Sequence, residues 1–302
     1  MKESKCGILI CSLCLLLAFS APALGQQKQE KPKPKPEAAL SPAQAKERAE
    51  AARREQRTQE FIAAVDVGDV GAAAKSLAAG ADVNGRDRDG TTALMHAALH
   101  GSPELTELLL SKGAQVNLTD VFGVTALIQA SWAGQIEIVN MLMAAGANPD
   151  LQSIVEIPKL RKAGVNALMG ASMNGNLEVV KLLLDKGAHV NQQDAQGQSA
   201  LMHAAQGGYS QVAGLLLSRG AKTEIKDQFG RTALTIATIY GNFDVLCILV
   251  SAGANVHTKD IHNMKPIVYA SALDRSDIYR YLQAAMARQP SPSQAGNFRR
   301  AP

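Results

Sequence analysis

His96 and His100 stand four residues apart, a spacing that on a helix puts two imidazoles on one face, where they can share a metal ion. The residues between them are Ala97, Ala98 and Leu99, so the glutamate that makes such a pair a hydrolase signature is missing. No third ligand stands near them in sequence, and His189, His203 and His257 lie far along the chain. Cys247 is the one thiol outside the N-terminal region that holds Cys6, Cys11 and Cys14, and no histidine is paired with it by pattern. The chemistry-bearing residues therefore predict no enzyme: no catalytic residues, no metal, no cofactor. A metal-dependent hydrolase is the least favoured alternative.

The elements that would position these residues are set by glycines. The pair Gly-Ala recurs at Gly80, Gly113, Gly146, Gly187, Gly220 and Gly253, in steps of 33, 33, 41, 33 and 33 residues. A second series, Gly68, Gly101, Gly134, Gly175, Gly208 and Gly241, keeps the same beat, as does a third, Gly90, Gly123, Gly164, Gly197 and Gly230. Glycines that recur in every unit are structural rather than phosphate-binding, and a period near 33 is the mark of a stacked repeat array. Within one unit, Asp87 to Gly90 is turn chemistry. Thr92 caps a short helix from Ala93, and Gly101 stops it. Pro103-Glu104 opens a second helix carrying Leu105, Leu108 and Leu109 at helical spacing, which Gly113 ends. One unit leaves apolar residues on too many faces to stand alone, so neighbours must bury them.

These residues resemble the ankyrin repeats, whose pattern runs D-x-x-G-x-T-P-L-H-x-A-A-x-x-G and closes on L-L-L-x-x-G-A-x-x-N. The frame reads here Asp227, Gly230, Thr232, Ala233, Leu234, Ala237, Gly241, then Leu249 to Gly253-Ala254 and Asn255. The family's proline is Ala at 93, 126, 167, 200 and 233 and survives only as Pro266; its histidine is replaced by Met95, Ile128, Met169, Met202, Thr235 and Val268. The inter-repeat contact at those positions is thus predicted to be apolar. The resemblance implies an all-α ankyrin-repeat solenoid of helix-turn-helix units with short β-hairpin-like connections. Seven units are expected, at 61–86, 87–119, 120–160, 161–193, 194–226, 227–259 and 260–288. Both ends are worn: the first unit lacks T-x-L, and the last has Asn263 and Asp274 where glycines are due.

The flanks read differently. Residues 1–25 join Lys2 and Lys5 to an apolar run and Ala23-Leu24-Gly25, the layout of a secretory signal peptide cleaved after Gly25. An uncleaved anchor is the alternative, weakened by Pro22 in a run already short for a membrane span. Residues 26–40 form a Lys/Pro-rich, extended spacer. Ser41-Pro42-Ala43-Gln44 looks like a capping box opening a solvated helix over 41–60, and 289–302 is expected to be a disordered tail. Residues 58–288 hold 18 basic and 21 acidic side chains, so the basic balance of the whole chain sits in its flanks and the charge footprint of a nucleic-acid binder is missing. The expected setting is the periplasm or the extracellular space, without membrane attachment after cleavage.

In ankyrin arrays partners touch hairpin tips and the inner face of the first helices. Carried onto this chain, that frame assigns partner binding to Leu99, His100, Trp132, Met173, Ile239 and Tyr240 on the helices, and to Phe122 and Phe229 at the tips. Aromatic anchors of this kind dominate interfaces. The 41-residue step adds eight residues within 153–162, where Ile157 and Leu160 would extend the same apolar surface; the alternative is a neutral loop. Cys247 occupies the position of Glu107, Asn140 and Lys181 and is predicted to be partly exposed. The expectation is a monomeric, non-enzymatic protein-binding module of the cell envelope, with an accessory factor for an envelope enzyme, as in oxidative-stress defence, as the alternative.

Overall fold

The computed structural model describes residues 41–154 and 163–289. The expected leader, spacer and tail, and residues 155–162 with Ile157 and Leu160, lie outside the described residues. Fourteen helices run through the described part: α1 (Pro42–Asp66), α2 (Val70–Ala78), α3 (Ala93–His100), α4 (Pro103–Ser111), α5 (Ala126–Ala133), α6 (Ile136–Ala144), α7 (Ala167–Met173), α8 (Leu177–Asp185), α9 (Ala200–Gly207), α10 (Ser210–Ser218), α11 (Ala233–Tyr240), α12 (Phe243–Ser251), α13 (Pro266–Ala272) and α14 (Ser276–Arg288). No sheet forms among them; the hairpins carry only two isolated bridges, Arg86 with Thr92 and Gln193 with Ser199. The odd-numbered helices from α3 to α13 pack in one row, and the even-numbered helices from α2 to α14 pack in a second row behind it.

Helix α1 runs past residue 60 into the first repeat. The capping box at its start is present, with Ser41 N–H donating to Gln44 Oε1 and Gln44 N–H to Ser41 Oγ. From there no glycine or proline interrupts the chain until Gly68, at φ +80°, so the solvated segment and the first repeat's own helix are one rod. Only its last turns bury side chains, among them Phe61, Ile62 and Val65.

The first helices are short and alanine-rich, which lets neighbours approach closely. Thr92, Thr125, Asn166 and Ser199 cap them by accepting the backbone N–H of Met95, Ile128, Met169 and Met202. Met95, Met169 and Met202 are about 1% exposed and belong to the continuous apolar core. The methionine sulfur at 95 even accepts the Thr92 N–H at 3.5 Å, so the thioether takes over a capping role as well as a packing one.

Five hairpins are each tied by one carboxylate. Oδ1 of Asp87, Asp120, Asp194, Asp227 and Asp260 accepts two backbone N–H groups, from the residues two and four positions on. Ser153 is the counterpart in the long hairpin: its Oγ accepts Val165 N–H, and its own N–H reaches Val165 O. The fourth unit therefore opens at Ser153 and not at residue 161, and the extra residues are 155–162, inserted between Ile154 and Ala163. The worn last unit keeps its geometry without glycine. Asn263 and Asp274 sit at φ 60° and 53°, a conformation that short polar side chains tolerate better than most.

Candidate functional site

The hairpin tips form a hydrogen-bonded ladder from one repeat to the next. Val121 N–H donates to Asp89 O, Ile154 to Phe122 O, Ala195 to Ala163 O, Gln228 to Gln196 O and Ile261 to Phe229 O, at 2.8–3.1 Å. A side chain at a tip is thus held by two hairpins. Val121, Ile154 and Ile261 are each more than half exposed there, and Phe229 is 42% exposed. The Arg231 guanidinium lies 4.6 Å from the centroid of the Phe229 ring and also pairs with Asp227 Oδ2 at 2.7 Å, which fixes the ring's outer face. Ile154 and Ile261 were the tip residues that the sequence frame did not single out as anchors. Ile261 stands in the position after a hairpin carboxylate, which is the signal that marks it, whereas Ile154 follows Ser153 and carries no such mark.

The second part of the surface is the row of first-helix C-termini. Leu99, Trp132, Met173 and Ile239 occupy one register, and His100 and Tyr240 the next. Leu99 and Tyr240 are about half exposed, His100 is exposed, and Trp132 and Ile239 are half-buried. Gln206 Nε2 donates to Tyr240 Oη at 3.1 Å, which steadies the phenol between neighbours. Asn174 and Asn176 both donate to the Trp132 carbonyl. Phe122 and Met173, also expected to bind a partner, pack against the core with part of their surface left to solvent. A bulky side chain at those places fills the seam between repeats.

One constellation joins residues that the sequence left apart. Asp66, the last residue of α1, places Oδ1 3.0 Å from His96 Nδ1 and 2.9 Å from His100 Nε2. His96 Nε2 lies 3.0 Å from Asp87 Oδ2. The hydrogen bond from His100, aided by His96, outweighs partial burial and holds the Asp66 carboxyl below its ordinary value. The sequence placed no third potential ligand near the two histidines; the end of α1 brings the Asp66 carboxylate beside them. Asp66 stands one period before Leu99, so it projects from the same register of the helix row. His203 repeats the His96 position and pairs with Asp194, both side chains fully buried, and Tyr269 donates to Asp260 in the same way. A hairpin Asp with His or Tyr nine residues later is the pattern that reveals these pairs.

Cys247 is half-buried as predicted, and burial pushes its thiol above its ordinary value. A protonated thiol is a poor nucleophile. Among the described residues no helix is long and apolar enough to cross a membrane.

Two stacked rows of short helices joined by carboxylate-tied hairpins define a helical repeat array, a class built to present extended surfaces. The family model of ankyrin repeats matches in three copies, over residues 61–153, 154–227 and 201–289, and the chain belongs to the ankyrin repeat family. No curated protein matches it at a significant level. Ankyrin repeats are generally protein–protein interaction modules and typically lack enzymatic activity.

Proposed function

We propose that this chain is a non-catalytic, monomeric protein-binding module of the cell envelope, exported by residues 1–25, and that its partner seats on the hairpin tips and the ends of the first helices. The observation that carries the reading is the hydrogen-bonded tip ladder. It holds Val121, Ile154, Phe229 and Ile261 out into solvent on a braced backbone, where loose apolar side chains would gain nothing. Pre-ordered anchors bind without a large ordering cost. Tyr240 and Leu99 continue the apolar surface onto the helix ends.

The test is capture from an envelope extract with the mature chain, beside Phe229→Ala and Tyr240→Ala. A partner recovered by the parent and weakened by roughly 2 kcal/mol in either variant supports the surface. Equal recovery by both variants, with unchanged melting, places binding elsewhere. N-terminal sequencing of exported protein should begin at or near Gln26.

A further inference from the structure

We propose that Asp66, His96 and His100 form a binding site for one divalent transition-metal ion, zinc foremost, with Asp87 positioning His96 from behind. The inference starts from the proton on His96. Asp87 Oδ1 is committed to the N–H groups of Asp89 and Thr91, which fixes the carboxylate, and its Oδ2 lies 3.0 Å from His96 Nε2. A carboxylate only accepts, so the ring proton belongs on Nε2. Nδ1 is then left as an acceptor, 3.0 Å from Asp66 Oδ1. Two acceptors at that separation repel each other unless a positive species, a second ring proton or a metal ion, lies between them.

Geometry and charge point to a metal as that species. The three ligand atoms lie within 4.8 Å of one another, and Asp66 Oδ1 is already 2.9 Å from His100 Nε2. Zinc bonds of about 2.0–2.1 Å place tetrahedral ligand atoms roughly 3.3 Å apart, so closing around an ion needs only side-chain adjustment. Two imidazoles with a carboxylate suit zinc and its neighbours rather than calcium or magnesium. With neutral rings the cluster carries two carboxylate charges. Asp66 and His100 are also the last residues of α1 and α3, whose C-termini favour a cation. A carboxylate behind a ligating histidine is the usual support for such a ligand. His96 is mostly buried, whereas Asp66 and His100 are about half exposed, so the ion has an entry path and a fourth position open to water.

The experiment is calorimetric titration of the mature, tag-free, chelator-stripped chain with zinc alone, with thermal melts alongside. One saturable equivalent is expected, with a rise in melting temperature that follows occupancy. Asp87→Asn keeps the hairpin acceptor but presents a donor to His96 Nε2, and should weaken binding about 10- to 100-fold. His100→Ala, at an exposed position that leaves the core intact, should weaken it at least as much and abolish the thermal shift. His189→Ala, in the separate pair with Asp150, should change nothing. Absence of saturable binding, or a His100→Ala affinity within about twofold of the parent, would overturn the site and leave the cluster as a set of contacts among Asp66, Asp87 and the two histidines.

Discussion

The side-chain amide of Asn242 donates to the carbonyl oxygen of Gln206 at 3.0 Å, and to that of Ala205 at 2.7 Å. Asn242 precedes α12 and reaches back to the last turn of α9, so one side chain satisfies carbonyls that a helix end leaves without intrahelical donors. Asn176 does the same for Ser131 and Trp132 at the end of α5. Asn242→Ala should therefore cost about 1–3 kcal/mol in urea melts, since the carbonyls lose their donor in a partly buried seam. A loss of a few tenths would mean that water replaces the amide freely.

Met169 is about 1% exposed between α5 and α9 and stands where the family has histidine. Met169→Ala should cost on the order of 2–5 kcal/mol, the usual penalty for emptying a core position that cannot collapse. Met286, half-buried on the last helix with a neighbour on one side only, should cost less when truncated. Equal losses at the two places would contradict the nearest-neighbour character of the array.

The repeat frame was legible because glycine reports backbone conformation directly. Gly90, Gly123 and Gly230 all lie at positive φ, and their spacing in the chain is the spacing of the hairpins. The buried methionines were legible for a similar reason, since they occupy one register of the first helix in their repeats. The place of Asp66 beside the two histidines was not legible. Its unit lacks the T-x-L signature, and only the uninterrupted run of α1 into that unit brings the carboxylate to His96. The start of the fourth unit was misplaced because Ser153, a residue without charge, does the work that Asp120 does in the preceding hairpin.

Two glycines separate strain from contact. Gly113 and Gly164 both sit at positive φ, +84° and +77°. A Cβ at 113 would meet nothing within 4 Å, whereas at 164 it would lie 2.6 Å from Ala195 N and 3.0 Å from Asp194 C. Both alanine variants carry about 1–2 kcal/mol of left-handed strain. Gly164→Ala must also push the next hairpin away, against the Ala195 N–H bond to Ala163 O, and should be worse by a further ~1–3 kcal/mol. Similar melts for the two variants would show that the tip ladder yields easily.

Acid should act on the last hairpin. Burial alone would raise the Asp260 carboxyl, but the Tyr269 hydroxyl and the N–H groups of Met264 and His262 together hold it below its ordinary 3.8. The stability this contributes is complete above the unfolded pKa and is lost as pH falls through the lower folded value. Tyr269 is shifted the opposite way, raised chiefly by its bond to Asp260, so its share holds below the ordinary tyrosine value and fades only in strong alkali. Tyr269→Phe should thus be less stable than the parent at pH 7, with the gap closing as pH drops below about 4. A gap independent of acid pH would assign the loss to packing rather than to the bond.

The long hairpin offers the sharpest separation of fold from binding. Ser153 N–H to Val165 O, and Gly164 N–H to Ser153 O, reproduce the bonds that Asp120 and Gly123 make around their two-residue tip. Joining Ile154 directly to Ala163, by deleting 155–162, rebuilds that four-residue turn and restores the 33-residue step. Each doubling of loop length costs only about 0.6 kcal/mol in closure entropy, so the deletion should stabilise the chain by on the order of 1 kcal/mol. Binding should respond in the other direction. The insertion leaves the array at a tip flanked by Val121 and Phe122, and its Ile157 and Leu160 would add apolar contact for a partner seated there. The deletion should weaken capture of that partner, and its effect combined with Phe229→Ala should be less than additive, because both remove contacts to one ligand. A deletion variant that melts slightly higher and binds with unchanged affinity would make the eight residues a neutral insertion, with the partner surface confined to the ladder and the helix ends.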